Sequence, residues 1–308
     1  MALEGLHHIT AITADAPRNV DFYARVLGLR LVKKTVNFDA PDVYHLYFGD
    51  ERGAPGSILT FFEFPNAARG RHGDGMPYRI EWRVDSEDSL AFWADRLKGE
   101  GVETRYEGDE LHFEDFEGLQ HVLLPNRSPD LPLRAAAEDV PPEHALQGFN
   151  GVRAYGDAER SRPLLEALGL KETNPGTWEA AGIDRRGAIS FDPAPDARGL
   201  QGAGTIHHIA WFAADDAELD AYRATISDAG GHPTGIVDRQ YFHSVYFRIP
   251  SGVLFELATG DIGFDVDEPL ESLGTALKLP PQYERLRPQL EQILTPLPTP
   301  RETSEVSS

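Results

Sequence analysis

The chain has no cysteine in its 308 residues. Disulfides, zinc–thiolate sites, iron–sulfur clusters and cysteine nucleophiles are therefore excluded, and any bound metal must be held by His, Asp or Glu. Positive charge is scarce too: 29 Lys and Arg stand against 50 Asp and Glu, a formal net charge of −21. That balance excludes a nucleic-acid partner, because a phosphate backbone demands clustered basic side chains. No apolar run is long enough for a membrane-spanning helix, so no membrane partner is expected. Met1-Ala-Leu-Glu-Gly5 carries neither a basic stretch nor an apolar core, so no secretion signal is expected and the cytoplasm is the expected location. Two readings of the acidity stay open: a well-solvated surface, or adaptation to high salt.

What is present is a repeat. Residues 3–13 read as a strand, and Asp15 to Gly28 as a helix with Asp15 as N-cap, Pro17 in the first turn and Gly28 closing the C-terminus. Three strands follow, at residues 29–36, 43–49 and 57–64. The same order returns from Tyr78, with a helix at 86–101 whose Leu90, Trp93, Ala94 and Leu97 face inward, then from Leu146, then from Thr205. Four β-α-β-β-β units make an internal repeat of roughly 60 residues, and such self-similarity outweighs any single motif. The fold expected is α+β, with four βαβββ modules paired into two curved, barrel-like mixed sheets and the helices outside. Residues 1–126 hold one pair of modules, 127–145 a Pro-rich linker, 146–260 the second pair, and 261–308 a C-terminal extension with one helix near 281–294. Residues 299–308 read as disordered.

Two of the four modules open on the same step. Gly5-Leu-His-His-Ile-Thr-Ala-Ile12 is repeated in outline by Gly204-Thr-Ile-His-His-Ile-Ala-Trp-Phe212. The fourth module ends on Pro250-Ser-Gly-Val-Leu-Phe-Glu256-Leu-Ala258, a turn feeding an apolar strand that contains one carboxylate. An unpaired carboxylate in such company costs several kcal/mol, which a divalent cation offsets. Two histidines and one buried acid form the ligand set of non-haem Fe(II) enzymes. In the second module Val122 stands where that acid would be, and the third opens without histidine, so one metal centre per chain is expected, shared by the first and fourth modules. Thr10 falls on the strand face of its neighbour His8, since side chains repeat every two residues. His7 and His207 point the other way in an ideal strand.

The paired modules, the helix ending Tyr23…Leu27-Gly-Leu29, and the strand-borne His and Glu resemble the vicinal oxygen chelate superfamily, which includes glyoxalase I, extradiol dioxygenases and bleomycin-resistance proteins. Within it, His7-His8-Ile-Thr10, Ile206-His207-His208-Ile-Ala210, Arg239, Tyr246 and the segment ending in Glu256 are most similar to the hydroquinone ring-cleaving dioxygenases. The resemblance spans nearly the whole chain. It implies that His8, His208 and Glu256 hold the metal, Fe(II) or alternatively Mn(II), and that His7, Thr10, His207, Arg239 and Tyr246 surround the substrate. The implied partners are a small aromatic molecule and O₂; a homo-oligomer is compatible with the sequence. Two other readings remain at this point: a glyoxalase-type isomerase or lyase using the metal as a Lewis acid, and a non-enzymatic binder of small molecules. The glycine-rich stretch Arg69-Gly-Arg-His-Gly-Asp-Gly75 lacks the Lys-Ser/Thr of a phosphate loop and reads as a flexible lid.

Overall fold

The computed structural model describes residues 3–299, so residues 300–308 of the tail expected to be disordered lie outside it. Each module appears as expected. The first runs β1 (Leu6–Thr13), α1 (Ala16–Val20), β2 (Arg30–Asn37), β3 (Ala40–Gly49) and β4 (Ile58–Glu63). The second has β5 (Pro77–Val84), α2 (Glu87–Gly99), β6 (Thr104–Glu107), β7 (Glu110–Glu114) and β8 (Gln120–Pro125). The third has β9 (Phe149–Tyr155), α3 (Ala158–Ala167), β10 (Lys171–Asn174), β11 (Thr177–Ala181) and β12 (Arg186–Asp192). The fourth has β13 (Ile206–Ala213), α4 (Asp216–Asp228), β14 (Val237–Asp238), β15 (His243–Arg248) and β16 (Leu254–Thr259). Asp15 caps the first helix by accepting from the Arg18 N–H, and Gly28 leaves it at φ +68°. Between them the helix widens into a π-helical turn, Asp21–Val26, which seats Tyr23 deep in the core.

The strands form two eight-stranded sheets, and the modules are not grouped by halves of the chain. One sheet runs β14-β15-β16-β13-β1-β4-β3-β2 and unites the fourth module with the first; the other, β10-β11-β12-β9-β5-β8-β7-β6, unites the third with the second. This corrects the expectation that each half of the chain pairs its own two modules. The inner faces explain the grouping. β1 is buried along its whole length and meets the mostly buried β13, whereas β5 brings Arg79 and Glu81 to its sheet and meets Arg153 of β9, whose guanidinium lies 3.7 Å from Glu81. Apolar and helical residues such as Trp93, Leu165 and Tyr222 fill the space beneath the helices on the outer faces. No helix among the described residues is long and apolar enough to cross a membrane.

The C-terminal extension braces β2 and β3. The buried Lys33 ammonium reaches Asp267 at 2.7 Å and Glu268 at 2.9 Å. The Lys278 N–H donates to the Lys34 carbonyl at 2.9 Å, and the Tyr283 hydroxyl to the Phe38 carbonyl at 2.7 Å. Its helix, α5 (Arg287–Ile293), follows a 3₁₀ segment, Pro281–Leu286, inside the span expected to be helical. The glycine-rich loop at 69–75 is bound rather than free: Gly70 and Arg71 donate to Ala203 and Leu200, and Leu200 and Ala203 donate back to Arg71 and Ala68. Four backbone hydrogen bonds to a neighbouring segment do not suit a lid.

Candidate metal centre

β1, β13 and β16 lie side by side at the middle of the first sheet, and their registers bring His8, His208 and Glu256 together. Glu256 Oε2 is 2.8 Å from His208 Nε2 and 3.2 Å from His8 Nε2, and the two imidazole nitrogens are 3.4 Å apart. All three side chains are buried. Despite these short approaches, Glu256 Oε2 is left without a properly directed hydrogen bond. Its other oxygen accepts from the Ser244 hydroxyl at 2.5 Å. Burial works to raise the Glu256 carboxyl, but His8 and His208 outweigh it and hold the group well below the usual carboxylate range. Burial lowers His208 in turn, against the pull of Glu256. A carboxylate oxygen and two imidazole nitrogens thus converge on one point, an arrangement a divalent cation satisfies. Among the described residues this is the one group of three His, Asp or Glu ligand atoms that could hold a metal ion, all within 4.8 Å of one another.

His7 and His207 come closer to the centre than alternation allows, and the reason is a pair of β-bulges. Leu6 pairs with Trp211 but His8 with Ala210, so His7 is an extra residue in β1; Thr10 pairs with His208 but Ala11 with Ile206, so His207 is an extra residue in β13. A bulge re-aims its side chain. His7 Nδ1 lies 2.9 Å from His8 Nδ1, and His207 Nδ1 lies 2.8 Å from His208 Nδ1. The His7 Nε2 faces the Thr259 carbonyl at 3.1 Å. A carbonyl only accepts, so that nitrogen carries the proton; burial lowers the His7 pKa to about 3, which keeps the ring neutral. His7 Nδ1 therefore accepts, His8 Nδ1 donates, and His8 Nε2 is left as the bare lone pair a metal needs. His207 has no such second partner among the described residues; it borders an open cleft beside Gln201 and Arg248.

Against the triad lies a small cavity of about 30 Å³, well below the ~300–1,000 Å³ of sites that enclose a whole drug-sized ligand. Thr10, Arg239 and Tyr246 all line it. Arg239 Nε–H donates to the Tyr246 hydroxyl at 3.1 Å, and its Nη1–H to Asp39 at 3.1 Å, across the mouth. Burial, then the Glu256 charge, pushes the Tyr246 phenol upward, so it stays protonated. The wall also contains residues that sequence reasoning passed over: His45, Tyr47, Phe62 and Phe242. The alternation Val43-His45-Tyr47 within one strand was the available signal for the first two. His243 pairs with Asp216 at 2.7 Å, the first residue of helix α4. His121 is consumed in a core network between Trp82 and Tyr23. Larger open clefts elsewhere on the protein converge no comparable ligand set.

The second sheet has the same frame and a different filling. Ala210 pairs with Glu256 on one side and His8 on the other; its counterpart Glu81 pairs with Val122 and Gly151. Val122 thus occupies the place of Glu256, Gly151 that of His8, and Arg79 that of His208. A Cβ on Gly151 would meet the Ala188 carbonyl oxygen at 2.8 Å, so no ligand side chain fits there.

The chain matches the Glyoxalase/Bleomycin resistance protein/Dioxygenase superfamily twice, over residues 5–130 and 133–257. It belongs to that superfamily. Among superfamily relatives, it is 41% identical over 95% of its length to a Bacillus subtilis (strain 168) protein named "Putative ring-cleaving dioxygenase MhqO", covering 96% of it. It is 34% identical over 94% of its length to the chlorohydroquinone/hydroquinone 1,2-dioxygenase of Sphingobium indicum, covering 95% of it. A crystal structure described as a "putative dioxygenase" from Bacillus subtilis superposes with a TM-score of 0.89 at 38% identity, with 98% of this chain and 99% of that one covered. The two superfamily matches cut the chain into halves, whereas the sheets join its first and last quarters.

Proposed function

We propose that this chain is a metal-dependent ring-cleaving dioxygenase that opens a hydroquinone-type aromatic ring with O₂. The observation that carries the reading is the buried His8–His208–Glu256 cluster with its unpartnered carboxylate oxygen, lining a small cavity walled by Phe62, Phe242, Arg239 and Tyr246. Relatives named as ring-cleaving and hydroquinone dioxygenases across nearly the full chain support the same chemistry.

His8, His208 and Glu256 would hold the ion, which we assign as Fe(II); Mn(II) shares the ligand preference. When bound, Fe(II) supplies a path for electrons from an electron-rich ring to O₂. The residues of the chain do the rest. Two neutral imidazoles and one carboxylate leave a divalent ion with a single net positive charge, which favours the ferrous state. Phe62 and Phe242 give the ring apolar walls and exclude water. Arg239 places fixed positive charge over the cavity, where the ring oxygen gains negative charge on deprotonation and cleavage. Tyr246, protonated and tethered to Arg239, donates its remaining hydrogen bond to substrate. His7 locks the tautomer of His8 through its own bond to Thr259.

A lyase of glyoxalase type is the competing chemistry, and the ligand count speaks against it, since that use of the metal normally takes a second acid. The test is O₂ uptake after anaerobic Fe(II) loading, with hydroquinone, chlorohydroquinone and catechol offered separately. Stoichiometric O₂ consumption with a hydroquinone and its loss in H8A are the expected results. No uptake with any of the three, with H8A indistinguishable from wild type, would sink the reading.

A further inference from the structure

The first sheet is two-fold symmetric about the Ile9–Ile209 pair, and the symmetry identifies what stands opposite each residue of the centre. Rotation about that pair exchanges His8 with His208 and Thr10 with Ala210. Glu256 pairs with Ala210, and Thr60 pairs with Thr10. Thr60 therefore stands where a second Glu256 would. One strand farther out, Tyr246 pairs with Glu256 and Ser244 with Ala258, while Tyr47 pairs with Thr60 and His45 with Phe62. Tyr47 is the counterpart of Tyr246, and His45 the counterpart of Ser244. On one half a serine hydroxyl donates to a carboxylate; on the other, His45 Nε2 lies 2.9 Å from the Thr60 hydroxyl. A carboxylate with a small donor has been exchanged for a hydroxyl with a large one.

The protons in the exchanged half can be placed. Thr60 donates to Thr10 Oγ1 at 2.9 Å. Its own proton spent, Thr60 must accept from His45, so His45 Nε2 carries a hydrogen. Burial holds His45 far below its usual pKa, so the ring is neutral and Nδ1 accepts. The Tyr47 hydroxyl, 2.9 Å away, is the donor to that nitrogen. The chain therefore runs Tyr47 to His45 to Thr60 to Thr10. Thr10 accepts that bond, and among the described residues no hydrogen bond takes its own proton. Thr10, like His45 and Tyr47, lines the cavity.

We propose that Thr60 occupies the vacated place of a second metal-binding carboxylate, and that Tyr47, His45 and Thr60 form a fixed wire aiming the Thr10 hydroxyl proton into the cavity at an oxygen of the bound aromatic. Thr60 and His45 are then positioning residues, and their place leaves the ion with three protein ligands. The identity of the substrate rests on the dioxygenase reading; the place of Thr60 does not.

The test uses the full chain, with Mn(II) as the metal probe and then Fe(II) with hydroquinone. The double variant T60E/H45S rebuilds the Glu256–Ser244 pair on the opposite half. Mn(II) affinity is expected to rise about tenfold or more, as added ligand charge does, and water-proton relaxation by bound Mn(II) to fall as water is displaced. Affinity and relaxation both equal to wild type would overturn the place assigned to Thr60. T60V removes the hydroxyl while keeping the shape, and T60S keeps the hydroxyl. T60V should lower kcat roughly 10–100-fold with Mn(II) affinity unchanged, and T60S should recover most of that loss. A wild-type kcat in T60V, or a T60S as impaired as T60V, overturns the wire, and this pair decides even if the double variant does not fold. If the wild type consumes no O₂ with any hydroquinone, the wire's target falls with the dioxygenase reading, while the Mn(II) measurements still decide Thr60.

Discussion

His8 Nε2 and His208 Nε2 lie 3.4 Å apart although 200 residues separate them in the chain, and Glu256 Oε2 is within 3.2 Å of both. A buried carboxylate beside two lone pairs is unfavourable without a cation, so the metal and the fold are thermodynamically linked. In thermal melts with Mn(II) at 100 times its Kd, the wild type should gain about 2.7 kcal/mol. E256Q keeps the shape and removes the charge. Its metal-free melting temperature should equal or exceed that of the metal-free wild type, and its shift with Mn(II) should vanish. A metal-dependent shift surviving in E256Q would show that the ion binds elsewhere.

The two bulged histidines look alike in sequence but differ in what lies behind them. His7 is anchored on the Thr259 carbonyl, and His207 opens onto a cleft. Loss of an outer partner of a metal ligand costs ~10–100-fold in affinity. H7F should weaken Mn(II) binding toward the upper part of that range and H207F toward the lower part. Isothermal titration of both variants measures the difference, and equal losses would remove the special role of the Thr259 anchor.

Arg239 holds both Tyr246 and Asp39, yet the two contacts differ in surroundings. Asp39 is 75% exposed and Arg239 only 22%, so their ion pair is screened by water. Exposed pairs contribute at most ~1 kcal/mol, or about fivefold. D39N should therefore lower kcat/KM by no more than about that factor. R239M deletes a preorganised positive charge inside the cavity and should cost roughly 10²-fold or more in kcat. Steady-state O₂ uptake by the two variants compares them directly; comparable losses would make Arg239 a latch for the mouth instead of an electrostatic group.

Much of this site was legible in the residues because local patterning dictated it. The apolar strand around Glu256 and the two His-His-Ile steps announced a buried ligand set, and the four helix-plus-strand periods announced the modules. The shared metal centre already tied the first module to the fourth, but which modules join in one sheet was not legible, since strand pairing is a property of two modules and not of one. Strand alternation put Thr10 on the face of His8, and both line the cavity, but it turned His7 and His207 away from the centre, because a bulge is a property of two paired strands and not of one. His45 was missed for a related reason. Alternation puts it on one strand face with Val43 and Tyr47, but only the ladder shows that this face backs Thr60.

His121 yields a prediction far from the metal. The Trp82 indole donates to its Nδ1 at 3.1 Å, its Nε2 is 3.1 Å from the Tyr23 hydroxyl, and that hydroxyl donates to the buried Asp115 at 2.8 Å. Every donor in this chain has one acceptor, and protonating Nδ1 would set two donors face to face. Burial accordingly lowers the His121 pKa from 6.5 to about 3. Between those values the unfolded chain binds a proton that the folded chain refuses, so stability is full above pH 6.5 and declines as pH falls toward 3. The slope from this one residue approaches about 1.4 kcal/mol per pH unit. H121Q, which lacks a titrating ring, should be less stable than wild type at pH 7.5 through the disturbed Trp82 and Tyr23 contacts, and should lose less on acidification. Denaturant unfolding of both proteins at fixed pH values through that range measures the two slopes. Parallel curves would mean that the folded protein accepts the proton and that the Trp82–His121–Tyr23 chain rearranges at little cost.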